Sequence, residues 1–185
     1  MKELPIIMSA ESVQAILDER KTVTRRVVTG NALKMLTICS PDDVARDLSP
    51  WQVGDRLWVK EKFAYWVGRE AVAYPDMCHK AKDGDEWEDD VCISDITDGG
   101  KWKSPMFMPR WASRINLEVV SRRIERLQDI TSVDSIAEGI PAPYVARDNY
   151  EPIAMYRELW NNLNAKRGYP WEENDWVWRI EFRKV

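Results

Sequence analysis

Residues Arg20-Lys21-Thr22-Val23-Thr24-Arg25-Arg26 gather four cations and two hydroxyls into seven positions of a chain whose formal net charge is -4. Cations held together repel one another, and a bound anion or polar ligand relieves that repulsion. Lys21 and Thr24 also form a minimal base-plus-nucleophile pair, a lysine and a threonine three residues apart. A lysine serves as a base once burial or a neighbouring cation lowers its pKa, and Arg20, Arg25 and Arg26 are such neighbours. The competing reading is a solvated basic strand edge, since lysines on edges guard against aggregation. His79 is the single histidine, so proton transfer in any reaction must fall to Lys, Glu, Asp or Tyr.

The elements around this stretch decide whether its groups meet. Pro5 to Ser9 reads as a short strand, and Ser9 as the N-cap of a helix from Ala10 to Glu19 with Val13, Ile16 and Leu17 on one face. Thr22 to Val28 is rich in β-branched residues and reads as a strand. On an ideal strand Thr22, Thr24 and Arg26 share one face, and Lys21, Val23, Arg25 and Val27 the other. Lys21 therefore reaches Thr24 only if the helix-to-strand junction turns near Thr22.

Residues 29 to 50 read as a loop, with Thr29-Gly30-Asn31 and Ser40-Pro41-Asp42-Asp43 as turn signals. Val53-Gly54-Asp55 turns into a strand from Arg56 to Phe63. About 68 to 105 is the irregular part, an acidic insertion. Eight carboxylates and no cation lie between Asp83 and Asp98, which we expect to be exposed and mobile. Strand pattern resumes with Ile115, Leu117 and Val119 and continues through Ile124 to Leu127. Thr131 to Asp134 has capping-box spacing, predicting a short helix over Ser132 to Glu138, stopped by Gly139. After a loop at 141 to 150, Glu151-Pro152 opens a helix whose apolar face is Met155, Tyr156, Leu159, Trp160 and Leu163. Trp176 to Phe182 closes the chain as an alternating strand. No repeat or linker divides residues 1–185, so we expect one α+β domain, a mostly antiparallel barrel with helices packed outside.

Composition narrows the function classes. A pI near 5.2 argues against a long basic groove for nucleic acid, but not against a nucleoside or a few nucleotides in one pocket. Some of the 10 tryptophans are available to stack on a base. No apolar run approaches the roughly 18 residues of a membrane span, and Met1 to Ile7 lacks a secretory stretch, so a cytoplasmic protein is expected. Cys39, Cys78 and Cys92 have no paired spacing, which argues against a disulfide framework and against a zinc site with His79. We expect no metal and no cofactor.

Several motifs resemble one family. Ala15 to Arg26 resembles the signature of the ASCH domain, part of the PUA-like superfamily; Gly54-Asp55-Arg56-Leu57-Trp58-Val59 resembles its Gly-Asp strand, and Trp176 to Phe182 its closing strand. Pro109 to Arg114, Ile124 to Ile130 and Ala137 to Ile140 are similar to a subgroup encoded by phages and prophages. The resemblance implies a PUA-like β-barrel with a cleft for RNA or nucleosides. Some members are amidohydrolases that deacetylate N4-acetylcytidine, with a Lys-Thr-x-Thr-x-Arg motif matched here by Lys21 to Arg26. Carried over, Lys21 is the base, Thr24 the nucleophile and Glu138 the proton-transfer group, with Arg26 close to the site. Beside Thr22 and Arg26, the substrate-binding candidates are Arg110 and Arg114 of a second cation cluster and Trp111, which is placed among them to stack on a base. The ligand is then a small nucleoside or short RNA. The alternatives are an RNA- or nucleotide-binding module without catalysis, a phage interaction protein, or a purely structural ion network of Lys21 and Arg26 with Glu138 or Glu61.

Overall fold

The structure, a computed structural model, describes residues 1–65, 72–74, 102–141 and 151–185. Alternating apolar residues build a five-stranded sheet from β1 (Glu3–Ile7), β2 (Val23–Val27), β3 (Arg56–Lys60), β6 (Asn116–Arg126) and β7 (Trp176–Lys184). Two short strands, β4 (Ala64–Tyr65) and β5 (Val72–Ala73), pair with each other outside it. The strand order is β1-β3-β6-β7-β2, with β1 and β3 parallel and the other three pairings antiparallel. A register shift between Val119 and Ser121 bends the long β6, as an extra residue in one strand does.

Alternation puts a different core on each face. Leu57, Val59, Leu117, Val119, Trp178, Ile180 and Phe182 pack with Val13 and Ile16 of α1 (Ala10–Leu17), and with residues of α2 (Gly30–Met35) and α3 (Pro41–Leu48). On the opposite face Leu127 and Val177 pack with Tyr156 and Trp160 of α5 (Glu151–Asn164) and with Trp171. A short α4 (Ser132–Ala137) sits between β6 and α5 in the chain.

The α+β class and the mostly antiparallel pairing are as expected. The sheet does not close into a barrel: β1 and β2 are its two edges, and no backbone ladder joins them. The seam is bridged instead by a side chain, Arg26 Nη2 donating to the Ile7 carbonyl at 2.6 Å. Residues 29 to 50 are a correction, since they carry two helices rather than a loop. Ser40 caps α3, its hydroxyl accepting from Asp43 N–H at 3.2 Å, with Pro41 in the first turn. Ser, Pro and Asp serve turns and helix N-termini for the same reasons. The α5 face is a second correction. Tyr156 and Trp160 are buried, but Met155 and Leu163 are 40% and 49% exposed. Pro152 and Asn164 complete the buried stripe.

The expected acidic insertion core (residues 83 to 98) and the cysteine–histidine set Cys78, His79 and Cys92 lie outside the described residues. Among the described residues no side-chain group has the make-up of a metal site, and no helix is long and apolar enough to cross a membrane.

Candidate functional site

The junction after α1 makes the turn that Lys21 requires. Glu19 is left-handed, with φ 59°. This folds the chain back so that the Arg20 and Lys21 N–H groups both donate to Ala15 O at 2.9 Å. Thr22 N–H then donates to Ala137 O at 2.9 Å, tying the entry of β2 to the end of α4. Gly139 stops α4 at φ +96°, and a Cβ there would lie 2.7 Å from Ala15 Cβ and 3.2 Å from Lys21 Cβ. Two helix ends meet over a glycine, and Lys21 is left facing Glu138.

Glu138 is buried at 4% exposure, and so is Lys21. The Lys21 ammonium donates to Glu138 Oε2 at 2.6 Å and to Glu138 O at 2.7 Å. Oε1 accepts from Arg25 Nη1 at 3.2 Å and from the Tyr156 hydroxyl at 3.4 Å. Arg25 is fully buried and also reaches Glu125 at 2.6 Å and Asp134 at 3.5 Å. Asp134 is shared with Arg179 at 3.0 Å. Buried charges survive only when paired in this way. Burial pushes the Lys21 pKa below its ordinary value; the Glu138 charge and hydrogen bond oppose that, while Arg26 and Arg25 add to it. Burial, followed by the Glu138 charge, pushes the Tyr156 hydroxyl well above its ordinary range, so it remains a donor.

Because β2 is an edge strand, residues from both its faces reach one cavity of about 540 Å³ in the seam between β2, the end of β1 and α5. Lys21 and Arg25 enter from one face, Thr24 and Arg26 from the other, and Glu138 and Tyr156 close the wall. Thr24 pairs with Ile180 and Arg26 with Trp178 across the ladder, which sets both side chains on the α1 side of the sheet. Thr24 is buried at 4% exposure, yet its hydroxyl makes no hydrogen bond among the described residues. A second cavity of about 610 Å³, lined by Arg20, Glu61 and Gly139 among others, adjoins the first at Ser12, Glu138 and Leu159.

The structure thus brings Lys21, Thr24, Glu138 and Arg26 to one cavity and sets the other candidates elsewhere. Thr22 is exposed, with its backbone engaged by Ala137 and Phe182. Arg110 forks onto Glu3 at 3.2 and 3.3 Å and bonds Asn116 at 2.9 Å. Trp111 is 65% exposed. Arg114 grips Glu61 with two bonds of 2.9 Å and lies 4.0 Å over the Tyr74 ring. None of these four lines the cavity of Thr24. The ion-network reading holds for Lys21, with Arg25 rather than Arg26 as the second cation on Glu138. Sequence reasoning missed Arg25, Tyr156 and Arg167 as cavity residues. Arg25 is on the face opposite Thr24, Tyr156 reads as helix core, and Arg167 sits in a turn; no spacing signal links them.

No protein-family model matches the chain, and no curated protein matches it. Two solved structures are similar to it. One is an ASCH domain from Lactobacillus crispatus JV V101, with 10% identity and a TM-score of 0.47 over 99% of this chain and 79% of that one. The other is the hypothetical protein PH0355, with 12% identity and a TM-score of 0.42 over 99% of both chains.

Proposed function

We propose that the protein is a cytoplasmic hydrolase that cleaves the acyl-amide of a modified nucleoside of the N4-acetylcytidine kind. Lys21, once neutral, takes the Thr24 Oγ proton as that oxygen attacks the acyl carbonyl. The oxyanion forms beside the Lys21 ammonium that has just taken the proton, whose positive charge stabilises it. Glu138, bonded to Lys21, passes the proton to the departing amine, and water then releases the acyl group from Thr24. The observation that carries this reading is the unpartnered Thr24 hydroxyl in a buried wall, facing a cavity it shares with the Lys21–Glu138 pair. The lowered Lys21 pKa supports it, since a base must lose its proton first. A volume of about 540 Å³ lies in the range of pockets for one small ligand.

The test is incubation of the protein with N4-acetylcytidine and chromatography of the products. We expect cytidine and acetate from the wild type. Thr24→Ala should bind the substrate with unchanged affinity and release neither product. A wild type that binds nucleosides or short RNA and turns none over makes the protein a binding module. One observation favours that second reading: the Lys21 ammonium is already held by two short bonds to Glu138, the posture of a structural ion pair.

A further inference from the structure

Arg26 and Arg167 line the same cavity, and neither has a carboxylate within ion-pair distance among the described residues. Lys21 and Arg25 are matched by Glu138, Glu125 and Asp134, so the excess positive charge of the cavity belongs to the other two. Arg26 spends only Nη2, on the Ile7 carbonyl at 2.6 Å and the Met8 sulfur at 3.4 Å. Its Nε and Nη1 have no hydrogen-bond partner, and neither is sealed from the cavity. Arg167 spends only Nη1, on Asn164 Oδ1 at 3.2 Å. The two guanidinium groups are near enough that Arg167 helps push the Arg26 pKa down, behind the larger effect of burial.

We propose that Arg26 and Arg167 form a phosphate subsite, and that the ligand of this cavity is a nucleoside monophosphate rather than a neutral nucleoside. Two guanidinium forks with four open nitrogens match the oxygens of a phosphomonoester, and a dianion cancels the charge that the fold leaves unmatched. The phosphate end and the acyl end are held by one strand. Thr24 and Arg26 are two residues apart on the same face of β2, about 7 Å along the strand before the arginine side chain extends it. A base at Thr24 and a phosphate at Arg26 thus span one nucleotide. The inference rests on the hydrolase reading for the nucleobase end only.

Calorimetry with cytidine 5′-monophosphate, cytidine and ribose 5-phosphate tests it, because none carries an acyl-amide and turnover cannot intervene. The monophosphate should bind about ten- to a hundredfold tighter than cytidine, the scale of one or two charge-assisted contacts. Arg167→Gln, at an exposed turn position, should remove most of that advantage and leave cytidine affinity unchanged. Equal affinity for the monophosphate and cytidine, or an Arg167→Gln protein with the wild-type preference, overturns the subsite. A cytidine dinucleotide with an internal phosphodiester that binds as tightly as the monoester overturns the monoester assignment in favour of a polymer backbone. If acylated cytidine is not hydrolysed but ribose 5-phosphate still binds in an Arg167-dependent way, the hydrolase reading fails and the subsite stands.

Discussion

Glu138 accepts hydrogen bonds from Lys21, Arg25 and Tyr156, so the loss of one partner leaves its charge still met by the others. Lys21→Met should therefore fold. Its stability should fall by about 1–3 kcal/mol, less than for a buried pair with no second cation, as read by urea unfolding. In the hydrolase reading the same variant is inactive. The reactive lysine must be neutral, and burial lowers its pKa, so wild-type activity should climb with pH along a limb whose midpoint lies below the ordinary lysine value of 10.5. A pH profile of kcat/KM checks this; a rise centred at or above that value removes Lys21 as the base.

At the scale of the element, the meeting of α1 and α4 sets the site. Gly139 holds φ +96° with Ala15 Cβ 2.7 Å from where its own Cβ would be. Gly139→Ala combines left-handed strain with overpacking and should cost about 2–4 kcal/mol, measured by denaturant titration. The clash also pushes on Lys21, so activity should drop in the protein that remains folded. Glu19 is the opposite case: an exposed, non-glycine residue at φ 59°, with one surface contact from Lys184 at 3.3 Å. Glu19→Gly should raise stability by about 0.5–1 kcal/mol, the relief of left-handed strain less the extra chain entropy.

For the whole molecule, the open seam between β1 and β2 replaces a barrel closure, and the cavity is that seam. Two carboxylates outside its lining tie the structure together and predict its acid limit. Burial pushes the Asp55 pKa up, but the Lys2 and Gln52 N–H groups, at 2.7 and 3.0 Å, outweigh it and hold the carboxyl below its ordinary 3.8. Burial likewise opposes the Arg179 hydrogen bond and the Arg25 charge at Asp134, with the same net lowering. A lowered carboxyl binds fewer protons when folded, so this stability is complete above the unfolded value near pH 4 and is lost as pH falls through the folded values. Asp134→Asn should flatten that acid limb in thermal melts taken from pH 6 to pH 2. The net charge of -4 sets a second global expectation. Short single-stranded RNA should bind with a shallow salt dependence, a slope of about -0.7 to -1.4 for one or two phosphates. A steep slope would mark a long groove and sink the small-ligand reading.

Local chemistry made much of this legible in the sequence. Ser9 and Thr131 as helix caps, Gly139 as a helix stop, and the alternation in β6 and β7 are decided within a few residues of chain, so they could be read there. The Lys21, Thr24 and Arg26 set was visible because its types and spacing lie in one heptapeptide. What surrounds it was not. Glu138 meets Lys21 across 117 positions and Arg25 across 113, and Tyr156 and Arg167 arrive from α5 and the turn beyond it. Such meetings depend on which strand is the edge and where two helix ends touch. Long-range packing decides that, and no local pattern encodes it. The same limit hid the ion pairs that hold Arg110 on Glu3 and Arg114 on Glu61, away from the cavity: a sequence shows that a charge exists, and only the tertiary structure shows which opposite charge has already taken it.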